Sequence, residues 1–424
     1  MRGTITMTGS TIFHALGLHM HQPPGNLRLL IEANPEEAEQ IIRCYERPVR
    51  YAARYPDTAR LHVGFSGVLL EQLLDPDIVD RYRHILDIPE MLDGYARAEN
   101  IELIGMGHSH PIFPLIPQAD WPEQLARARA AMLRAFGRTA LGFWPPEMAF
   151  TMEMVPALVE AGYHYLVVDG VQVRPEDGIT DAFRPYQVCH EGVCITLVPR
   201  DRDLSKAQEH GLDANWFQND VRWRVGDSPR PHESRLVTTW SDGENGGWFR
   251  QTREGSGFFG YFFAPYMEQV RGGEYPITPV SLSAYLADNP PVAQAQVQTG
   301  AWSVGPTAGY DRAQWSGSER QRAAATAVSD LSARYWDLCE RLSAPCPALE
   351  HARTLILEAQ TSCFLFWGEA WLPHLYARTV PAAAQLDAAA ATLRDAAPPA
   401  LAEAVSPQTN PGAGVSTPAA GSAR

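Results

Sequence analysis

Two acidic stretches in this chain have the makings of a catalytic site. The first is Phe143-Trp144-Pro145-Pro146-Glu147. It follows the apolar run Ala140-Leu141-Gly142, which reads as a buried strand, and its paired prolines forbid both a helix and a continued sheet ladder. A carboxylate on such a stiff junction, with an indole three residues before it, offers a fixed oxygen beside a flat apolar face. That suits sugar chemistry; an ordinary loop glutamate after a Pro-Pro stop is the plainer reading. The second stretch is Asp242-Gly243-Glu244-Asn245-Gly246-Gly247-Trp248. It too follows an apolar run, and its glycines permit close approach to a ligand, although Asp-Gly alone is a common turn. Two carboxylates from different strand ends are the minimum for cleaving a glycosidic bond. One attacks or stabilises the sugar cation and the other protonates the leaving oxygen, the two lying about 5–5.5 Å apart when configuration is retained.

The histidines fall into pairs two residues apart, His19 with His21 and His108 with His110. Each pair ends an expected strand, where such residues share a face. Neutral imidazoles hydrogen-bond sugar hydroxyls. A His-x-His pair can equally hold a catalytic metal, which would make a metal-dependent hydrolase or deacetylase, or each ring can simply be capped by a backbone carbonyl. Arg200, Arg202 and Asp203 form a charged cluster that could orient a ligand or be a solvated ion-pair group of little energetic worth. Gln360 and Trp367, seven residues apart, share one face of an aromatic helix. That face could cover the site, though such stripes are commonly core.

Positioning these groups takes a regular scaffold. Short apolar runs at 12–18, 60–65, 101–104, 141–144, 165–168, 194–198 and 236–239 read as strands. Between them lie helical patterns at 35–54, 68–74, 77–98, 121–136 and 152–161. The alternation predicts an α/β fold with a mostly parallel sheet. Every loop after a strand carries polar residues, which predicts a barrel with its site at the C-terminal strand ends. Helices are expected at 318–342, 348–366 and 382–395, and the Ala/Pro/Gly/Ser/Thr composition of 396–424 predicts a disordered tail.

A chain of 424 residues, 45% hydrophobic, buries a large core. Its net charge of −14, with no long basic stretch, argues against nucleic acid as a partner. Eleven tryptophans and fifteen tyrosines suit a sugar-binding surface or a big core. Cys44, Cys189, Cys194, Cys339, Cys346 and Cys363 include no Cys-x-x-Cys pair, so neither a zinc knuckle nor a redox motif is indicated and buried free thiols are expected. The first residues lack an apolar signal region, and no run approaches eighteen apolar residues. A soluble, cytoplasmic protein with no membrane contact is expected.

Five blocks, in order, resemble glycoside hydrolase family 57. His19-Met20-His21-Gln22-Pro23 is similar to its first motif, and Gly107-His108-Ser109-His110-Pro111 to its second. Phe143 through Glu147 resembles the third, which holds the nucleophile, and Trp240 through Gly247 the fourth, which holds the acid/base aspartate. Gln360 through Trp367 corresponds to the fifth. The resemblance spans residues 12–375 and implies a (β/α)7 barrel over 1–300, with a helical domain over 301–395 covering its mouth. It implies a retaining mechanism, without metal or other cofactor, on α-glucosidic bonds of an α-glucan or maltooligosaccharide, of α-amylase, 4-α-glucanotransferase or branching-enzyme type. In it Glu147 attacks and Asp242, its pKa raised, gives the proton. His19, His21, Gln22, His110, Arg200, Asp203, Glu244 and Gln360 would contact substrate, and Trp144, Trp240 and Trp367 would offer stacking faces. One departure stands out: the fifth motif often carries an aspartate near the position of Ser362 or Cys363. A non-catalytic glucan-binding homologue is the remaining alternative.

Overall fold

A computed structural model describes residues 11–230, 235–302, 312–342 and 345–396. Apart from Ala396, which ends the last helix, the expected tail lies outside these residues.

Seven strands form the frame: Ile12–Met20 (β1), Leu61–Phe65 (β2), Ile101–Gly105 (β3), Gly142–Phe143 (β4), Tyr165–Asp169 (β5), Val193–Arg200 (β6) and Arg235–Asp242 (β7). Pairing is parallel from β1 through β6 in sequence order, and β7 returns to β1. At the remaining seam the Asp201 N–H, just past β6, donates to the Thr238 carbonyl of β7 at 2.8 Å. The result is a seven-stranded parallel barrel. Strands of such a barrel are covered on both faces, so they read as continuous apolar runs rather than alternating ones, and β2 is buried throughout.

The barrel interior is packed with large side chains. Ala15, Ile104, Trp144, Tyr165, Val167, Val198, Leu236, Trp240 and Trp302 belong to one buried cluster. Gly17 of β1 lies opposite Trp240 of β7, and a Cβ there would come within 2.1 Å of the indole. Only glycine lets that ring fill the centre.

Local signals place the helices. Asn34 caps Pro35–Arg54 by accepting from the Glu37 N–H, with Pro35 in the first turn, and Trp121–Phe136 ends on the left-handed Gly137. The pattern expected as one helix over 77–98 is two, Pro76–Tyr82 and Ile88–Arg97. Asp87 caps the second, and Pro89 cannot continue a helix from the first. The expected helix over 348–366 also divides, into Pro347–Ala359 and Cys363–Phe366. Thr361 bridges Pro111, and the Ser362 N–H donates to the His110 carbonyl at 3.1 Å, so tertiary bonds interrupt the ladder. The last helix, Leu372–Ala396, begins ahead of the expected 382 and runs through Pro381. With Glu319–Arg341 it packs on Pro347–Ala359 around Leu331, Ile356 and Leu386.

The expectation of six free buried cysteines needs correction. Tyr186–His190 forms a hairpin with β6 through Glu191 and Gly192, both at positive φ, and places Cys189 opposite Cys194. The two form a disulfide with Cα atoms 4.1 Å apart. Hairpin register, which six scattered cysteines do not display, brings them together. Of the others Cys44 is buried, while Cys339, Cys346 and Cys363 are partly exposed.

Candidate active site

The strand ends meet in a cavity of about 370 Å³ at the C-terminal side of the barrel. Glu147 enters it just after β4. Pro145 and Pro146 end the strand, and Glu147 and Met148 take left-handed backbones, φ 59° and 50°. His110 shares this conformation at φ 55°. Non-glycine residues at positive φ cost energy and persist where their surroundings hold them. Here the surroundings are residues 300–302: the Trp302 N–H donates to the Glu147 carbonyl at 2.8 Å, and Phe150 and Gly300 exchange backbone hydrogen bonds.

The Glu147 carboxyl accepts from the Trp302 indole N–H at 2.8 Å through Oε2. Its Oε1 lies 4.0 Å from His110 Nδ1. Burial, and then the Asp242 charge, push its pKa up from 4.5 to about 7, against His19 and the hydrogen bonds of Trp302 and Ser362.

Asp242 ends β7, in register with His19 of β1. His19 Nε2 lies 2.6 Å from Asp242 Oδ1. Burial pushes this carboxyl up, but His19 by charge and hydrogen bond, then Asn245 and Arg200, more than offset it, and the net shift is downward. The raised Asp242 pKa implied by the resemblance is therefore not what the structure shows. The cause is chiefly His19, whose Nε2 lies against Oδ1. Between the two carboxyls, the proton is held more firmly by Glu147.

The remaining cavity wall is polar on the barrel side. His21 shares a 2.8 Å hydrogen bond through Nδ1 with Ser66 Oγ, and His110 does so through Nδ1 with Ser362 Oγ, also 2.8 Å. The two rings stack at 4.1 Å. Burial, then neighbouring histidines, lower His21 to about 3 and His110 well below the usual imidazole value, so both are neutral. Their Nε2 atoms have no hydrogen-bond partner among the described residues. Glu244 accepts from the His21 N–H at 2.7 Å, and its burial raises its pKa well above the usual range. Gln22, Asn26, Asn245 and Arg250 also line the cavity. The C-terminal helices contribute Cys363, Phe366, Trp367 and Trp371.

The sequence-predicted residues thus divide. His19, His21, Gln22, His110, Glu147, Asp242, Glu244 and Trp367 meet in one cavity, with Trp367 57% exposed at its edge. Trp144 and Trp240 do not offer stacking faces, because both are buried in the barrel interior. Trp144 lies under His19, ring centres 4.0 Å apart. Arg200 is below the cavity floor: it pairs with Asp169 at 3.2 Å, donates to the Trp240 carbonyl, and lies 4.9 Å from the Trp302 ring centre. Asp203 faces solvent and pairs with Arg224 at 3.6 Å. Gln360 is buried away from the cavity and binds Asp120 and Gln124. His108 turns outward to Glu71 at 3.1 Å. Spacing alone could not separate these groups, since neighbouring residues at a strand end differ in depth by one layer of the barrel.

Sequence reasoning missed Trp302, which sits in a segment without a motif, and the roles of Asn26, Asn245, Arg250 and Trp371. Ser362 was visible only as a departure from a pattern. In the structure its hydroxyl bonds His110 and reaches Glu147.

Comparison with known proteins places this arrangement. The profile described as glycosyl hydrolase family 57 matches residues 15–291. The chain is 29% identical over 194 residues to "Alpha-amylase 1" of Dictyoglomus thermophilum, a match covering 45% of this chain and 26% of that protein. It is also 29% identical over 192 residues to a 4-alpha-glucanotransferase of Thermococcus litoralis, covering 44% and 26%. The matched segment is thus about a quarter of these relatives' length. Among solved structures, that glucanotransferase superposes with a TM-score of 0.67 at 20% identity, covering 88% of this chain and 60% of that one. A branching enzyme of Thermococcus kodakaraensis superposes with a TM-score of 0.67 at 15% identity, covering 91% and 90%. With the profile spanning well over half of the sequence and these folds superposing along the barrel and its C-terminal helices, the chain belongs to glycosyl hydrolase family 57.

Proposed function

We propose that this chain is a retaining enzyme of α-glucosidic bonds in α-glucans or maltooligosaccharides, with Glu147 as nucleophile and Asp242 as acid/base. One observation carries the reading: Glu147 and Asp242 project from the ends of β4 and β7 into one cavity, each fixed by its own donor, Trp302 and His19. Glu147 attacks the anomeric carbon while Asp242 protonates the departing oxygen. Asp242 then takes the proton of water or of an acceptor sugar that resolves the glycosyl-enzyme. The neutral His21 and His110, with open Nε2 atoms, suit uncharged hydroxyls. Trp367 gives a flat face for a sugar ring at the cavity edge.

The carboxyl pair shares one proton near neutral pH. In the free enzyme it rests mainly on Glu147, and the reactive arrangement is the less populated tautomer with the proton on Asp242. A sugar oxygen that displaces His19 from Asp242 would shift the balance toward the reactive form. The same pKa order favours a second reading with the two roles exchanged. Trapping decides between them: an activated fluoroglucoside that accumulates the covalent intermediate should label the peptide containing Glu147. Label on Asp242 would reverse the roles. Glu147→Gln should lower kcat by about 10³-fold or more, and unchanged turnover would end the reading. Of the histidines weighed for a metal, His108 is turned away to Glu71 while His19, His21 and His110 line the cavity; among the described residues no group of three or more His, Cys, Asp or Glu is arranged to hold a metal ion.

A further inference from the structure

Trp302 touches the candidate nucleophile twice, and no motif contains it. Its backbone N–H holds the Glu147 carbonyl, and its indole N–H holds Oε2, both at 2.8 Å. The ring is 8% exposed and wedged edge-on against Trp144 (5.4 Å) and His19 (5.3 Å). On its face, 4.9 Å from the ring centre, lies the Arg200 guanidinium, itself fully buried. A cation over an indole is attracted by the ring and draws electron density from it, which makes the N–H a stronger donor.

We propose that Trp302 is the positioning residue of the nucleophile: its indole N–H pins Oε2, leaves Oε1 to meet the anomeric carbon, and relays the charge of Arg200 to the carboxylate. This rests on Glu147 being the nucleophile. The other groups facing the carboxyl are Asp242 from β7, His19 from β1, His110 after β3, and Ser362 and Cys363 from the C-terminal helices. Among the described residues only Trp302 binds Glu147 through both backbone and side chain, so it fixes the carboxylate relative to the left-handed main chain that carries it. A donor to the ionised form also favours that form, as the opposing effect of Trp302 on the Glu147 pKa reflects.

The consequence is a change in pH dependence that loss of packing does not produce. Removing the indole N–H raises the Glu147 pKa. The shared proton then leaves Asp242 for Glu147 more completely, and the pair keeps it to higher pH. For Trp302→Phe, kcat/KM should fall about tenfold at pH values below the alkaline limb, and that limb should move up by about one pH unit. The loss should shrink above the limb, where Glu147 is ionised in both enzymes. A companion variant carries at position 302 a side chain in which sulfur replaces the indole N–H, introduced by codon suppression. It keeps the ring shape and should behave like Trp302→Phe. A uniform loss at every pH with an unmoved limb, in either variant, would overturn the proposal. Glu147→Gln is measured beside them. If it retains turnover, the nucleophile reading fails and this one with it. If it is inactive while the limb stays in place, only the role of Trp302 falls.

Discussion

Glu147 bears two costs at once, a left-handed backbone and a buried carboxyl. The second is open to measurement without any substrate. Its folded pKa of about 7 lies above the ordinary 4.5, so the stability present below pH 4.5 is lost as pH rises through about 7. Glu147→Gln removes that loss. The variant should be more stable than the parent at pH 8, by up to about 3 kcal/mol, and no more stable at pH 4. Equal thermal midpoint shifts at both pH values would refute a buried, strained carboxylate. Both carboxylates were legible in the sequence, because Pro-Pro and Gly-rich junctions announce where a strand must stop. The protonation order was not. It depends on His19 lying opposite Asp242, a matter of register between strands more than 200 residues apart. Trp302 was hidden for the same reason: its partner is 155 residues earlier in the chain.

Strand–helix alternation was clear for the barrel because each strand carries a short apolar run and gives way to a polar loop. Where expectations slipped, tertiary bonds overrode local periodicity. The break at 360–362 follows from pairing with His110 and Pro111, and the hairpin Tyr186–His190 lacks a strong alternating pattern. The contact between barrel and C-terminal helices is polar as well as apolar. Asp120, fully buried just before Trp121–Phe136, accepts from Ser332 Oγ, Trp336 Nε1, Arg353 and Gln360. Gln360 therefore belongs to a fastening rather than to the cavity. Breaking a buried pair by removing one partner leaves an uncompensated charge. Arg353→Met should lower the unfolding free energy by about 3–5 kcal/mol in denaturant titration. A loss under about 1 kcal/mol would mean that Asp120 is satisfied without it.

At the level of the whole chain, the net charge of −14 would have no counterpart in the neutral glucan proposed as substrate. Screening therefore has little to act on. A roughly tenfold change in ionic strength should leave kcat/KM on a maltooligosaccharide within about twofold. A steep fall with salt would instead point to a charged ligand, as with phosphate backbones. None of the described helices is long and apolar enough to cross a membrane.

The packed indoles of the barrel have a consequence for traffic. Trp144, Trp240 and Trp302 close the interior beneath the cavity, with Gly17 making room for the central ring. Among the described residues, these rings fill the interior beneath the cavity. On the proposed function, a sugar would enter and leave on the cavity side, past Trp367 and Trp371. Arrival and departure would then compete for the same side of the barrel.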